Sequence, residues 1–177
     1  MIYKVDFLTE EESDTIYNRI LHLEPEIKAL GEGRYDGTNK DSLTSRFVYY
    51  NGLEYCSTIG GILKPKLMTL FGRRRWFQCW YNTFRNGEEI KPHQHHAPNK
   101  DQHHIPTWTA CNIFIGGDPS GGTYYDGEKF ENKKGQLTFF DARIPHWTLP
   151  YEGEDVRITM AMDIHQAKMN PSMTKLV

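Results

Sequence analysis

The apolar pattern changes period at Trp76. Beyond it, hydrophobic residues come in short runs separated by turn residues. Seven runs read as strands: 76–85, 88–94, 108–115, 121–126, 135–141, 145–149 and 156–164. Asn86-Gly87 predicts a tight hairpin turn between the first two, because both residues tolerate positive φ. Gly121-Gly122 and Gly153 mark further breaks. Many short strands bury their apolar faces only by packing as two sheets. Aromatic residues make up 13% of the chain, in keeping with a β-rich interior. The expected fold is mainly β with N-terminal helices: a sandwich or jelly roll backed by those helices.

Upstream the period is helical. Thr9-Glu10-Glu11-Glu12 has the spacing of a capping box, with Thr9 as N-cap, and Ile16, Ile20 and Leu23 follow on one face. This helix is expected to end before Pro25. Residues 31–45, rich in Gly, Asn, Asp, Ser and Thr, read as a loop able to cover a site. A second helix is expected over 53–71, with Cys56, Ile59, Leu63, Leu67 and Leu70 as its apolar stripe. Gly60-Gly61 and Pro65 are the places where it would kink or split. The 177 residues suit one domain: a mostly helical support region (1–75), a β-helix core (76–166) and a tail (167–177). The segment 96–107 reads as a rim loop or lid.

Charge and cysteine usage narrow the function classes. A formal net charge of −2 gives no overall attraction to nucleic acid or acidic membranes. The basic run Arg73-Arg74-Arg75 reads as a solvated patch at a helix end. Cys56, Cys79 and Cys111 form no CxxC pair and no even disulfide set, which suggests a reducing compartment. Cys79 and Cys111 lie in apolar runs and are expected to be buried. MIYKVDFLTEEE has no signal-peptide pattern, and no stretch approaches a membrane span, so a cytoplasmic location is expected. Composition says nothing of oligomeric state.

Six of the eight histidines fall between positions 93 and 146. In Pro92-His93-Gln94-His95-His96, residues two apart on an extended strand share a face, so His93 and His95 can converge on one ion while His96 turns away. His146, in Ile144-Pro145-His146-Trp147, follows an apolar strand, and a late jelly-roll strand pairing with an early one would bring it to the same point. Three imidazoles suit Fe, Zn, Cu or Ni. His103 and His104 read as loop residues.

Arg157 and Thr159 are two apart in Val156-Arg-Ile-Thr-Met-Ala-Met. An arginine in an apolar strand is costly unless an anion satisfies it. Its planar fork matches a carboxylate at two points, and the Thr159 hydroxyl could add a third contact. An internal salt bridge with Asp141 or Asp163 is the alternative.

Residues 77–164 resemble the Fe(II)/2-oxoglutarate-dependent oxygenases, in particular their prolyl-hydroxylase-like branch. The resemblance lies in the order of YNTFRNGEEIKPHQH, GGTYYDG, KKGQLTFFDARIPHW and VRIT, with the distal His and the Arg 11 residues apart. It implies a double-stranded β-helix, a cupin-like jelly roll, in which His93 and His146 hold iron. It also implies that Arg157 and Thr159 bind the far carboxylate of 2-oxoglutarate, and that inward strand residues such as Asn82 and Asn112 can touch this co-substrate. The implied reaction uses O2 and decarboxylates 2-oxoglutarate to succinate while hydroxylating a C–H bond of a peptide, a protein side chain or a small molecule. Trp108 and Trp147 are candidates to line the mouth, near loops 31–45 and 96–107.

One position departs from the pattern. The second metal ligand is ordinarily Asp or Glu, and here it is His95, which makes the ligand set more positive by one charge. That disfavours the more oxidised states of the metal unless nearby carboxylates compensate. Asp126 or Asp101 could supply an oxygen ligand instead, although neither has the expected spacing. A second reading is a three-histidine cupin acting without 2-oxoglutarate, as a dioxygenase or isomerase. Gly87, five residues, then His93-x-His95 matches the opening of the first cupin motif, but Pro98, Asn99 and Lys100 stand where its Glu belongs. A third is a non-catalytic jelly-roll binding module.

Overall fold

The computed structural model describes residues 1–33, 38–95 and 109–177. A short strand β1 (Ile2–Asp6) leads into helix α1 (Glu10–Lys28). A 3-10 turn (Thr44–Arg46) and the single-turn helix α2 (Gly52–Tyr55) precede helix α3 (Ser57–Phe71). There follow β2 (Trp76–Phe84), β3 (Thr109–Gly116), β4 (Thr123–Tyr125), β5 (Glu128–Phe130), β6 (Gln136–Asp141), β7 (His146–Trp147), β8 (Arg157–His165) and β9 (Thr174–Lys175). The strands form two sheets, ordered β1-β6-β3-β8-β2-β9 and β5-β4-β7, with antiparallel pairing throughout.

The capping box at Thr9 forms as its spacing predicts. The Thr9 hydroxyl accepts from the Glu12 N–H at 3.1 Å, and the Glu12 carboxylate accepts from the Thr9 N–H at 2.8 Å. The helix then continues through Pro25, where the sequence suggests an end. An interior proline costs on the order of 3 kcal/mol, and tertiary contacts hold the last turn against that cost. Ile27 is fully buried, and Glu24, also buried, accepts two guanidinium bonds from Arg85 at 2.8 Å each and pairs with Lys28 at 2.9 Å.

The expected second helix is broken at Cys56, which is extended (φ −129°, ψ 114°), and not at Gly60-Gly61 or Pro65. Gly60 has another purpose: a Cβ there would lie 2.2 Å from the Leu53 carbonyl, so glycine lets α3 pass against α2. Ile59, Leu63 and Leu67 are fully buried, whereas Leu70 leaves the stripe and is 37% exposed.

The strand expected over 88–94 is reduced to an isolated bridge between His93 and His146. Gly87 does make a turn, at φ +83°, but the chain beyond it pairs with 142–148 rather than folding back on β2. Pro92 and Pro145 precede the two bridging histidines, and neither offers an N–H to extend a ladder. Two short edge strands escape the sequence pattern. β1 pairs with β6, and β9, within the expected tail, pairs with β2.

Ile16, Ile20 and Ile27 of α1 and Ile59, Leu63 and Leu67 of α3 pack in one cluster with Phe77, Cys79, Cys111, Ile113, Met160 and Met162 from one face of the larger sheet. Each such side chain contributes about 1.5–3 kcal/mol by leaving water. The three cysteines are free and buried. Among the described residues no helix is long and apolar enough to cross a membrane. With the helices covering one face of the larger sheet, its other face is left to form a cavity.

Candidate active site

That cavity, of about 400 Å³, has both sheets in its wall. β8 supplies Arg157, Thr159, Ala161, Asp163 and His165 at alternate positions, while Ile158, Met160, Met162 and Ile164 point into the core. β2 contributes Trp80, Asn82 and Phe84 by the same period of two. Where the chain passes closest to the start of β8, Gly117 (φ +99°) is required, since a Cβ there would lie 2.6 Å from Arg157 Cα.

His93, His95 and His146 converge on this cavity, each offering one ring nitrogen within 4.8 Å of the others. Backbone bonds set their positions. His93 N–H donates to His146 O at 3.1 Å, His146 N–H returns to His93 O at 3.0 Å, and His95 N–H donates to Ala142 O at 3.0 Å. The late segment thus pairs with the early one as the sequence predicts, although the two histidines of the HxH motif need no regular strand to share a face.

Each ring is oriented through Nδ1. In His93 it lies 2.9 Å from Lys91 O, in His146 3.0 Å from Ile144 O, and in His95 2.5 Å from Asp163 Oδ1. A carbonyl oxygen only accepts, so Nδ1 of His93 and His146 carries the proton and Nε2 keeps its lone pair. Burial, then the neighbouring His95, pushes His93 down to about 4; burial, then His95 and His93, pushes His146 down to about 2. Both are therefore neutral at pH 7, the form that binds a metal. Phe140, Tyr125 and Trp80 pack against the cluster and restrict water around it.

Arg157 is 1% exposed. Its Nη2 donates to Gly122 O at 3.0 Å and Thr123 Oγ1 at 3.1 Å, Phe84 lies under the guanidinium at 5.2 Å, and Nε is buried with no partner. Neither carboxylate suggested for an internal salt bridge reaches it, because Asp141 pairs with Arg143 and Asp163 faces His95. Burial pulls the guanidinium down to about 10, still charged at neutral pH. Beside it, Thr44 Oγ1 donates to Asn82 Oδ1 at 2.6 Å and Asn82 Nδ2 donates to Thr159 Oγ1 at 2.9 Å. Thr159 thereby receives a hydrogen bond and retains its own proton for an acceptor in the cavity.

Asn82 and Asn112 both line the cavity, but Asn82 is spent on Thr44 and Thr159. Asp126 is exposed in a turn at φ +51° and does not line the cavity, so it is no alternative ligand. Trp147 lines the cavity and stacks on Tyr124 at 5.5 Å. His96, Asp101, His103, His104, Trp108 and the loop 96–107 lie outside the described residues, as do 34–37 of the loop 31–45. Sequence reasoning missed His165 and the Asp163–His95 contact, both recoverable by continuing the period of two from Arg157. It also missed Thr44, in the 3-10 turn, and Met169 and Asn170, in irregular chain, none of which carries a periodic signal.

No protein-family model and no curated protein matches the sequence. Solved structures do match the fold. A prolyl-4-hydroxylase of Pseudomonas putida aligns at 14% identity and TM-score 0.59, over 94% of this chain and 93% of that one. A collagen prolyl hydroxylase of Paramecium bursaria Chlorella virus-1, solved with 2-oxoglutarate, aligns at 17% identity and TM-score 0.63, over 94% and 96%. HygX of Streptomyces hygroscopicus, solved with nickel and 2-oxoglutarate, aligns at 7% identity and TM-score 0.69, over 96% and 84%. The chain has the double-stranded β-helix fold of the 2-oxoglutarate-dependent oxygenases.

Proposed function

We propose that the protein is an iron(II)- and 2-oxoglutarate-dependent oxygenase. The observation that carries this reading is the buried Arg157, which among the described residues meets no carboxylate and keeps an unpartnered Nε, in the same cavity as three convergent imidazoles. A buried guanidinium in that state is costly and calls for an anion. Donors for one end of a dicarboxylate and metal ligands for the other thus line the same cavity.

His93, His95 and His146 would hold the iron, leaving coordination positions open toward the cavity. When bound, iron and co-substrate supply the oxidising chemistry: O2 is used, 2-oxoglutarate is decarboxylated to succinate, and a substrate C–H bond is hydroxylated. The protein's own part is to position and to desolvate. Arg157 and the Thr159 proton anchor the far carboxylate, Asn82 holds Thr159, and Phe47, Trp80, Phe84 and Phe140 exclude water. The substrate is a peptide or protein side chain or a small molecule entering past Trp147.

The test is anaerobic addition of Fe(II) and 2-oxoglutarate to the metal-free protein. A visible charge-transfer band that needs both additions, and that Arg157→Ala loses, is the expected result. Metal binding with no response to 2-oxoglutarate rejects the reading. It then favours the three-histidine cupin, for which His95 in place of a carboxylate is the supporting observation.

A further inference from the structure

His95 puts an imidazole where the oxygenase pattern has a carboxylate, and the fold puts a carboxylate directly behind it. Asp163 Oδ1 lies 2.5 Å from His95 Nδ1, with the two side chains 14% and 6% exposed. His93 and His146 are held by neutral backbone carbonyls instead. Among the three rings, the one that departs from the pattern is the one backed by an anion.

We infer that Asp163 is a positioning residue for the metal centre: it takes the Nδ1–H of His95, aims Nε2 at the metal position, and restores one bond further out the negative charge that His95 removes. The inference rests on the metal-binding part of the proposed function.

Three observations support it. Asp163 shares a strand face with Arg157 but stands six residues along it, about 20 Å at ~3.3 Å per residue, so Arg157 does not compete with the histidine for its carboxylate. A carboxylate this sheltered is costly unless a strong donor faces it. An imidazole N–H becomes a stronger donor when its other nitrogen binds a cation, so metal and Asp163 reinforce each other through the ring. The β8 register also secures the geometry: Asp163 is opposite Gln78 on β2 and Ala110 on β3, a central position where neither neighbour can slip without moving the core face.

Asp163→Asn keeps an oxygen acceptor and removes the charge; Asp163→Ala removes both. Titration calorimetry of the metal-free proteins with Ni(II) is expected to show affinity falling about 10- to 100-fold in Asp163→Ala, with Asp163→Asn between it and wild type. The Fe(III)/Fe(II) potential should rise in Asp163→Asn, because the anion that stabilises the more positive metal is gone. A merely structural role would lower the melting temperature and leave Ni(II) affinity and potential where they are, and that result overturns the inference. If Asp163→Ala does not fold, the isosteric Asp163→Asn decides alone. Wild type that binds Ni(II) without responding to 2-oxoglutarate removes the oxygenase reading and leaves Asp163 in place. Wild type without Ni(II) affinity removes both.

Discussion

Ile158, Met160, Met162 and Ile164 on one face of β8 are at most 4% exposed, and Arg157, Thr159 and His165 on the other are at most 3% exposed. Ala161 at 8% and the half-buried Asp163 open the second face a little, but most of both faces is dry, so burial alone does not separate them. The first is satisfied: its apolar side chains pack against α1 and α3. The second holds donors and charges toward a cavity, with Arg157 Nε unpartnered. A core face left in that condition would be a defect, since a polar group out of water demands a partner. Its presence opposite three imidazoles marks a face shaped for something that is not protein.

Substitutions on the two faces should therefore separate binding from stability. His146→Ala is expected to have the largest effect, weakening Ni(II) or Fe(II) affinity at least ~100-fold, since it removes one of three ligands. Unchanged metal titration would dissolve the triad. Next is Arg157→Ala, expected to weaken 2-oxoglutarate binding by about 2–5 kcal/mol, the usual loss for an unpaired buried charge contact. The metal-free protein should melt near wild type, because the guanidinium is only partly satisfied there. A large fall in melting temperature with co-substrate affinity intact would make Arg157 a structural residue.

Met160→Ala, on the core face, should behave in the opposite way. Deleting a fully buried methionine costs about 2–5 kcal/mol in chemical denaturation, while metal and co-substrate affinity of the folded protein stay unchanged. Coupled loss of both would show that the two faces of the strand are not independent.

Glu24 provides a buried charge outside the cavity. Burial alone would raise its carboxyl, but the bonds from Arg85 and then Lys28 outweigh that and hold it down to about 2, against an ordinary 4.5. The unfolded chain then takes up the proton first, so this stabilisation is complete above about 4.5 and is lost as pH falls toward 2. Glu24→Gln should lower stability at pH 7 by about 2 kcal/mol, the scale of a hydrogen bond to a charged group. It should also flatten the pH dependence between 4.5 and 2. Parallel acid-unfolding curves for the two proteins would mean the Glu24 ion pair does not stabilise the fold.

Local signals were legible where a short-range rule governs the outcome. The Thr9 box forms because its two bonds span three residues, and the alternation of β8 appears because a strand has a period of two whatever surrounds it. Pro25 was misread since the compensation comes from Arg85, 60 residues away, which no window around the proline contains. The 88–94 strand was misread for the reverse reason. Its alternation is real, but Pro92 and Pro145 flank the His93–His146 bridge, one on each segment, and neither has an N–H to extend the ladder. β1 and β9 are short edge strands, selected by the partner they find and not by their own pattern.

The sequence by itself determined the class of fold, the three histidines that converge and the arginine that stands among apolar neighbours. Each depends on residue type and spacing, which are local. Only the tertiary structure decided that Arg157 meets no carboxylate among the described residues and that Asp163 stands behind His95. Pairing is a matter of which groups meet across the sheets, and on sequence alone both Asp141 and Asp163 are candidate partners. The comparison of the two β8 faces therefore rests on both: alternation assigns the faces, and packing decides which one is left unsatisfied.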